Sequence, residues 1–156
     1  MDKIHFIRPP QPLTERMVYR QELNNFWSEA PSHKGPSYNY SMFNIKTKET
    51  LGRMVATPTK KDVYIDLLLV DKKKEGVGRD LIKLAEVESF KQGHKGHISL
   101  LSAQLRQVKE KEPPHLFYRK QGFKTKSPLF NMIMDFCIKF NKKLPKIFNG
   151  IKPMYK

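Results

Sequence analysis

Residues 63–93 read VYIDLLLVDKKKEGVGRDLIKLAEVESFKQG, and this stretch decides the fold. Its first eight residues, Val63–Val70, are apolar except for Asp66, which is typical of a central strand covered on both faces. A basic loop then leads to a glycine pair and to a helical apolar pattern that we expect to end at Gly93. With a second apolar strand at His97–Leu101, the order predicts a strand-helix-strand crossover.

The residues before this stretch predict a short apolar entry, a helix and a hairpin. The entry is Ile4–Ile7, and Thr14 can cap a helix that ends near Pro31. The apolar residues at helical spacing in that helix are Tyr19, Leu23, Phe26 and Ala30. The hairpin consists of strands Tyr38–Ile45 and Leu51–Thr57 around a polar turn.

The C-terminal third predicts two helices and a final strand. A short helix through Tyr118 precedes Gly122-Phe123, and a longer helix with a wide apolar face covers Leu129–Phe140. Cys137 lies on that apolar arc, where we expect a small buried residue and not a nucleophile. Lys152–Lys156 is the candidate last strand.

Length and composition favour one globular domain, residues 1–156. Of the 156 residues, 38% are hydrophobic, which is enough for a packed core. No apolar run approaches the roughly 18 residues of a membrane span, and the start lacks a signal-peptide core. One cysteine excludes an internal disulfide, so we expect a cytoplasmic protein.

The charge is strongly positive and concentrated at one end. The chain carries a formal net charge of +15, and Arg119–Lys156 alone holds ten basic residues and one acidic residue, net +9. A field of this sign attracts nucleic acid, phosphate-rich cofactors or anionic membranes.

The glycine pair Gly76 and Gly78 is suited to a phosphate group. Glycines let the main chain approach an anion, and free amides with the helix dipole face it. Nearby cations are supplied by Lys72, Lys73, Lys74 and Arg79. A simple strand-to-helix turn is the alternative, and the sequence matches neither a nucleotide P-loop nor a dinucleotide fingerprint.

Two motifs in this order make the chain resemble the GNAT family of N-acetyltransferases. The family has a Gln/Arg-x-x-Gly-x-Gly/Ala loop after a central strand, and Lys73–Gly78 follows it with Lys73 at the first position. The family also has a short helix ending Tyr-x-x-x-Gly-Phe, and here Tyr118–Phe123 carries that pattern. The family's asparagine and alanine before the tyrosine are replaced here by Lys111 and Pro114.

The resemblance implies an α/β fold with a mixed, splayed sheet of six or seven strands flanked by helices. It covers a core at residues 4–126, with an extra helical insertion at about 128–143 and a last strand at about 152–156. It also implies transfer of an acetyl group from acetyl-CoA, as co-substrate, to a primary amine by direct attack in a ternary complex. The residues that match the family's cofactor-binding positions are Leu68, Leu69, Val70, Lys73, Lys74, Glu75, Gly76, Val77, Gly78 and Arg79.

Catalysis needs an acid for the departing thiolate and a neutral amine. Tyr118 matches the family's general acid, and we expect an ordinary phenol pKa near 10 for it. Asp66 is the candidate base, although a hydrogen-bonded structural aspartate is an equal alternative, and water could also act as the base. His94 and His97 are three residues apart but lack further ligands, so we predict no metal.

Two alternatives remain open: a basic nucleic-acid-associated binding module, and a noncatalytic acyl-CoA sensor that has no use for Tyr118. The acceptor amine is not identified by the sequence, and the positive charge makes an RNA-linked or ribosome-linked acceptor one candidate. We expect no membrane span, and the helix at 129–140 offers a surface for a dimer.

Overall fold

The computed structural model describes residues 4–7, 16–31, 35–71, 76–102, 114–148 and 150–156. Strands β1–β5 are Ile4–Ile7, Arg16–Leu23, Ser37–Asn44, Thr50–Pro58 and Val63–Val70. Helix α1 (Val77–Lys91) and strand β6 (Ile98–Ser102) follow. Helices α2 (His115–Lys120) and α3 (Pro128–Lys139), a short 3-10 turn at Lys146–Phe148 and strand β7 (Lys152–Tyr155) complete the order. The fold is therefore the predicted α/β class, a mixed sheet flanked by helices.

The chain divides into two compact units, Met1–Ile98 and Ser99–Lys156. In the first unit β1 to β5 lie side by side in chain order, and each neighbouring pair is antiparallel. The predicted hairpin is confirmed as β3 and β4. After α1 the chain returns to the start of β5, where the Val63 amide donates to the His97 carbonyl at 3.1 Å. The crossover predicted from residues 63–93 is thus present.

The predicted helix from Thr14 to Ala30 is wrong, because Arg16–Leu23 is strand β2. Thr14 itself lies outside the described residues. Strand β2 has a neighbour on each side, since Val18 pairs with Ile7 of β1 and with Met42 of β3. Hydrogen bonding to two strands outweighs the weak helical spacing of the apolar residues. Phe26, predicted on the buried face of that helix, is 40% exposed beyond the strand.

Strand β4, not β5, is the most buried of the strands β2 to β5. Seven of its nine residues are buried, whereas β5 is buried only at Val63, Tyr64 and Ile65. The residues from Asp66 to Val70 are half-buried. The prediction that β5 is covered on both faces along its whole length is therefore wrong for its second half.

Two ion pairs, both with a buried acid, join helix α1 to strand β2. Arg16 contacts Asp80 at 3.4 Å, with both side chains fully buried. Arg20 contacts Glu88 at 3.2 Å. Glu88 also accepts hydrogen bonds from Tyr40 and Gln92, at 3.4 and 3.1 Å. The acid that interrupts the apolar arc of α1 is thus the centre of a buried polar network.

In the second unit β6 and β7 are antiparallel, with Ser99 opposite Tyr155 and Ser102 opposite Lys152. Helices α2 and α3 are joined by a two-bond ion pair between Arg119 and Asp135, at 2.8 and 3.0 Å. The inner face of α3 buries Phe130, Met134 and Cys137, so the buried position predicted for Cys137 is confirmed. The outer face leaves four apolar side chains exposed: Leu129, Met132, Phe136 and Phe140. None of the described helices has the length and apolar character needed to cross a membrane.

We predict that Glu88→Gln lowers the free energy of unfolding by about 1.5–3 kcal/mol, because it removes the charge-assisted hydrogen bond between the half-buried Arg20 and a buried carboxylate. The control is Asp135→Asn, which makes the same carboxylate-to-amide change in a pair whose acid is 54% exposed. There we expect less than about 1 kcal/mol. Urea unfolding followed by circular dichroism measures both, and equal losses would contradict the role given to Glu88.

Candidate functional site

Helix α1 begins at a left-handed glycine. Gly76 occupies the N-cap position with φ of +74°, a conformation that favours glycine, and no described side chain caps the helix there. The first helix-type bond is the one from the Asp80 amide to the Gly76 carbonyl, at 3.0 Å. The amides of Val77, Gly78 and Arg79 precede this bond and have no backbone or capping partner among the described residues, as expected of a helix end that can bind an anion.

Arg79 brings a cation to this turn. A Cβ added at Gly76 would lie 2.8 Å from Arg79 Nη2, so the guanidinium occupies the space that a side chain would fill. Its Nε is buried 3.6 Å from Asp80 Oδ1, and neither atom has a hydrogen-bond partner among the described residues. The Arg79 side chain is nevertheless 40% exposed, so its outer nitrogens can reach a ligand. The other predicted loop residues Lys73, Lys74 and Glu75 lie outside the described residues.

Gly52 of β4 allows α1 to start close to the sheet. A Cβ at this position would lie 2.7 Å from Val77 Cγ1 and 2.9 Å from the Leu69 carbonyl oxygen. No side chain fits between backbone and helix at such distances. The first residue of α1 therefore packs directly on the sheet beside the second half of β5.

Asp66 is the extra residue of a β-bulge. In the pairing of β4 with β5, Val55 opposes Leu67 and Ala56 opposes Ile65, so no residue of β4 opposes Asp66. A bulge bends the strand and redirects its side chain. The predicted residues Leu68, Leu69 and Val70 follow this bulge and are half-buried.

Several hydrogen bonds hold the Asp66 carboxylate. The Ser28 hydroxyl and the Glu29 amide donate to Oδ1 at 2.9 and 3.1 Å. The Thr57 hydroxyl donates to Oδ2 at 2.5 Å, and the Ser28 hydroxyl also lies 3.1 Å from this oxygen. Because the Thr57 hydroxyl donates its hydrogen bond to Asp66, the Ser37 hydroxyl, 2.6 Å away, donates to Thr57 Oγ1.

The pKa of Asp66 is raised by burial, which outweighs the lowering by these hydrogen bonds. A raised pKa suits a base, but the donors already occupy both oxygens. The geometry therefore favours the structural alternative, in which Asp66 fastens residues 24–31 to β5. The base assignment stays a prediction.

The segment fastened by Asp66 carries the single tryptophan, Trp27, whose side chain is 89% exposed. We predict that Asp66→Ala frees this segment, because the Ser28 hydroxyl and Glu29 amide lose their shared acceptor. Time-resolved anisotropy of Trp27 fluorescence should then show a larger amplitude of nanosecond motion. The control Asp71→Ala removes an exposed carboxylate just beyond the same strand and should leave the anisotropy decay unchanged. Identical decays for both variants would remove the anchoring role.

Tyr118 lies in α2 of the second unit and is 8% exposed. Its ring makes edge contacts with Phe117 and Phe123, at centroid distances of 5.3 and 5.6 Å. No described residue hydrogen-bonds to its hydroxyl. Burial raises the pKa of Tyr118 to about 12, so the expected ordinary value near 10 is wrong. The phenol keeps its proton at neutral pH and is a weaker acid than a solvated tyrosine.

Sequence reasoning missed the partners of the predicted residues. Ser28 and Thr57 come from two separate segments, and no local pattern links them to Asp66. The acids on α1 did leave a signal, because Asp80 and Glu88 are eight residues apart and so share one helical face. Among the described residues, no cluster of three or more histidine, cysteine, aspartate or glutamate side chains could hold a metal ion.

Several solved structures are similar to this chain. A Bacillus subtilis acetyltransferase in complex with CoA is 18% identical, with a TM-score of 0.48. The alignment covers 76% of this chain and 75% of the acetyltransferase chain. An aminoglycoside 6'-N-acetyltransferase complexed with coenzyme A is 20% identical, with a TM-score of 0.45. Its alignment covers 76% of this chain and 72% of the aminoglycoside acetyltransferase chain. The anti-CRISPR protein AcrVA5 is 17% identical, with a TM-score of 0.44. Its alignment covers 67% of this chain and 88% of the AcrVA5 chain.

No protein-family model and no curated protein matches the chain. Because every TM-score given above is below 0.5, the residues of the chain itself have to support a function.

Proposed function

We propose that the protein is a GNAT-type N-acyltransferase that moves an acetyl group from acetyl-CoA to a primary amine by direct attack in a ternary complex. The observation that carries this proposal is the start of α1, the element that follows the bulged strand β5 in the chain. It has a left-handed glycine, a helix end that no described side chain caps and a partly exposed arginine. This arrangement fits a pyrophosphate group.

The chain's own atoms divide the binding task. The amides of Val77, Gly78 and Arg79 would donate to phosphate oxygens, with the helix dipole adding favourable charge. The Arg79 guanidinium would neutralise part of the anion. Backbone groups of Leu68 to Val70, beyond the bulge, would hold the extended part of the co-substrate, as the family resemblance implies.

The chemistry needs little beyond positioning. Acetyl-CoA, when bound, supplies an activated thioester. Tyr118 would give its hydroxyl proton to the departing sulfur, a role that its raised pKa permits because the phenol is fully protonated at working pH. The attacking amine would lose its proton to water or to Asp66, and the hydrogen bonds on Asp66 favour water.

We predict that Gly78→Asp abolishes the contribution of the pyrophosphate to binding, because a carboxylate at the buried first turn of α1 would repel it. Calorimetry should give the variant the same affinity for acetyl-CoA as for acetyl-pantetheine, which lacks the pyrophosphate. The control Val87→Asp places the same carboxylate at an exposed position on the same helix and should bind acetyl-CoA normally.

Because Gly78 is buried, the aspartate variant needs a check of folding by circular dichroism. Arg79→Gln provides a second test at a partly exposed side chain and should weaken acetyl-CoA but not acetyl-pantetheine. Unchanged acetyl-CoA affinity in both folded variants would reject this phosphate site.

We predict that Tyr118→Phe lowers acetyl transfer by roughly 10- to 10,000-fold, the range for loss of a general acid, while acetyl-CoA affinity stays nearly intact. Turnover is measured as released thiol with a polyamine, an aminoglycoside, a lysine peptide and an aminoacyl-tRNA as acceptors. With the native enzyme, no alkaline loss of rate should come from Tyr118 below its pKa of about 12.

Full turnover in the phenylalanine variant would leave Tyr118 a packing role. Binding of acetyl-CoA without transfer to any acceptor, in native protein and variant alike, would favour the noncatalytic sensor.

A further inference from the structure

The second unit contains a cleft of about 410 Å³, within the range of small-ligand sites. Three aromatic residues line it: Phe148 and Tyr155, which are half-buried, and Phe130, which is only 5% exposed. The polar lining is supplied by Thr125, Lys126, Ser127 and Lys152, and Pro153 completes it. No acidic residue is among these described lining residues. A ligand of this cleft would therefore combine a flat apolar surface with negative charge.

The two lysines lie over the rings of the cleft. Lys152 Nζ is 5.0 Å from the centroid of the Phe130 ring, and Lys126 Nζ is 5.8 Å from that of Tyr155. Phe130 and Phe148 are adjacent, with centroids 5.3 Å apart. Both ammonium groups therefore lie beside the rings that line the cleft.

The surrounding charge favours an anion with several phosphates. Arg119–Lys156 contains ten basic residues, and its one acid, Asp135, is already paired with Arg119. Little negative charge is left in this segment to oppose a polyanion.

Hydrogen bonds fix the walls of the cleft before any ligand arrives. His115 is buried, and its Nε2 donates to the Gly150 carbonyl at 2.9 Å while Nδ1 accepts from the Ser102 hydroxyl at 2.6 Å. Gly150 lies between Phe148 and Lys152 in the chain, so this bond holds the segment that carries both. On the other side, Asn131 accepts from the Thr125 amide and donates to its carbonyl. A preformed site loses less entropy on binding.

We propose that this cleft binds an unpaired base of a single-stranded nucleic acid, with the neighbouring phosphates on Lys126 and Lys152. Aromatic side chains stack on any base because every base has a π-face, and lysines follow the backbone. A duplex keeps its bases stacked inside, so a ring-lined cleft suits a single strand. The site goes beyond the proposed acyltransferase function and is tested without acetyl-CoA.

The test uses three fluorescent probes of about 12 nucleotides, a length within the site sizes of single-strand binders. They are oligouridine RNA, oligothymidine DNA and an abasic strand with the same number of phosphates. Fluorescence anisotropy at several salt concentrations gives the affinity and the salt dependence. We expect the two base-containing probes to bind more tightly than the abasic strand, and their ratio tells RNA from DNA.

Two kinds of variant separate stacking from charge. Tyr155→Leu keeps apolar bulk but removes the ring, and should weaken the base-containing probes by roughly 5- to 150-fold without changing the salt slope. Tyr155→Phe keeps the ring and should bind normally. Lys126→Gln with Lys152→Gln should reduce the slope of log affinity against log salt by about 1.4, since each phosphate contact contributes about 0.7 for single strands. The control pair is Lys139→Gln with Lys142→Gln, both exposed and outside the cleft.

Circular dichroism confirms that each variant is folded. Equal binding of the abasic strand, together with no effect of Tyr155→Leu, would overturn the proposal, because binding would then be purely electrostatic. Equal loss of slope in both lysine pairs with an unaffected Tyr155→Leu would overturn it as well. A loss confined to Tyr155→Leu and the cleft lysines supports it.

Discussion

The two ion pairs between β2 and α1, whose acids are both buried, fix the helix on the sheet of the first unit. Arg16 and Arg20 are four residues apart on one face of a strand, a separation of about 13 Å. Asp80 and Glu88 are eight residues apart on one face of a helix, a separation of about 12 Å. Because the two spacings match, both pairs form only when α1 lies along β2 in one register. That register sets where α1 begins, and hence where the glycine turn lies over Gly52.

This constraint also explains which parts of the first unit the sequence predicts. The segment from Val63 to Gly93 is local: a strand, a glycine turn and a helix each have their own pattern, and the structure confirms all three. Glu88 interrupts the apolar pattern of the helix, and its partners, Arg20 and Tyr40, come from strands far away in sequence. A buried charge is favourable only with such partners, so the role of Glu88 can be recognised only from the folded structure.

The failed prediction for β2 has the same origin. Its apolar residues fit a helical wheel, but the fully buried Arg16 shows that this segment faces a carboxylate of α1. Pairing with β1 and β3 and the two ion pairs all require an extended chain.

The partners of Asp66 could not be predicted from the sequence for a related reason. A bulge depends on the register between two strands, and Ser28 and Thr57 approach only after that register is set.

The environment of Tyr118 changes its chemistry in a way that residue identity alone does not indicate. A phenol with a pKa of about 12 is more than three pK units weaker as an acid than a thiol with a pKa near 8.5. Complete proton transfer from that phenol to a free thiolate would therefore cost about 5 kcal/mol. In the proposed reaction Tyr118 could therefore serve as general acid only if its oxygen regains a proton, which the acetylated amine has to give up, as the carbon–sulfur bond breaks. Burial of Tyr118 would thus favour a coupled exchange of the two protons over the release of a free phenolate.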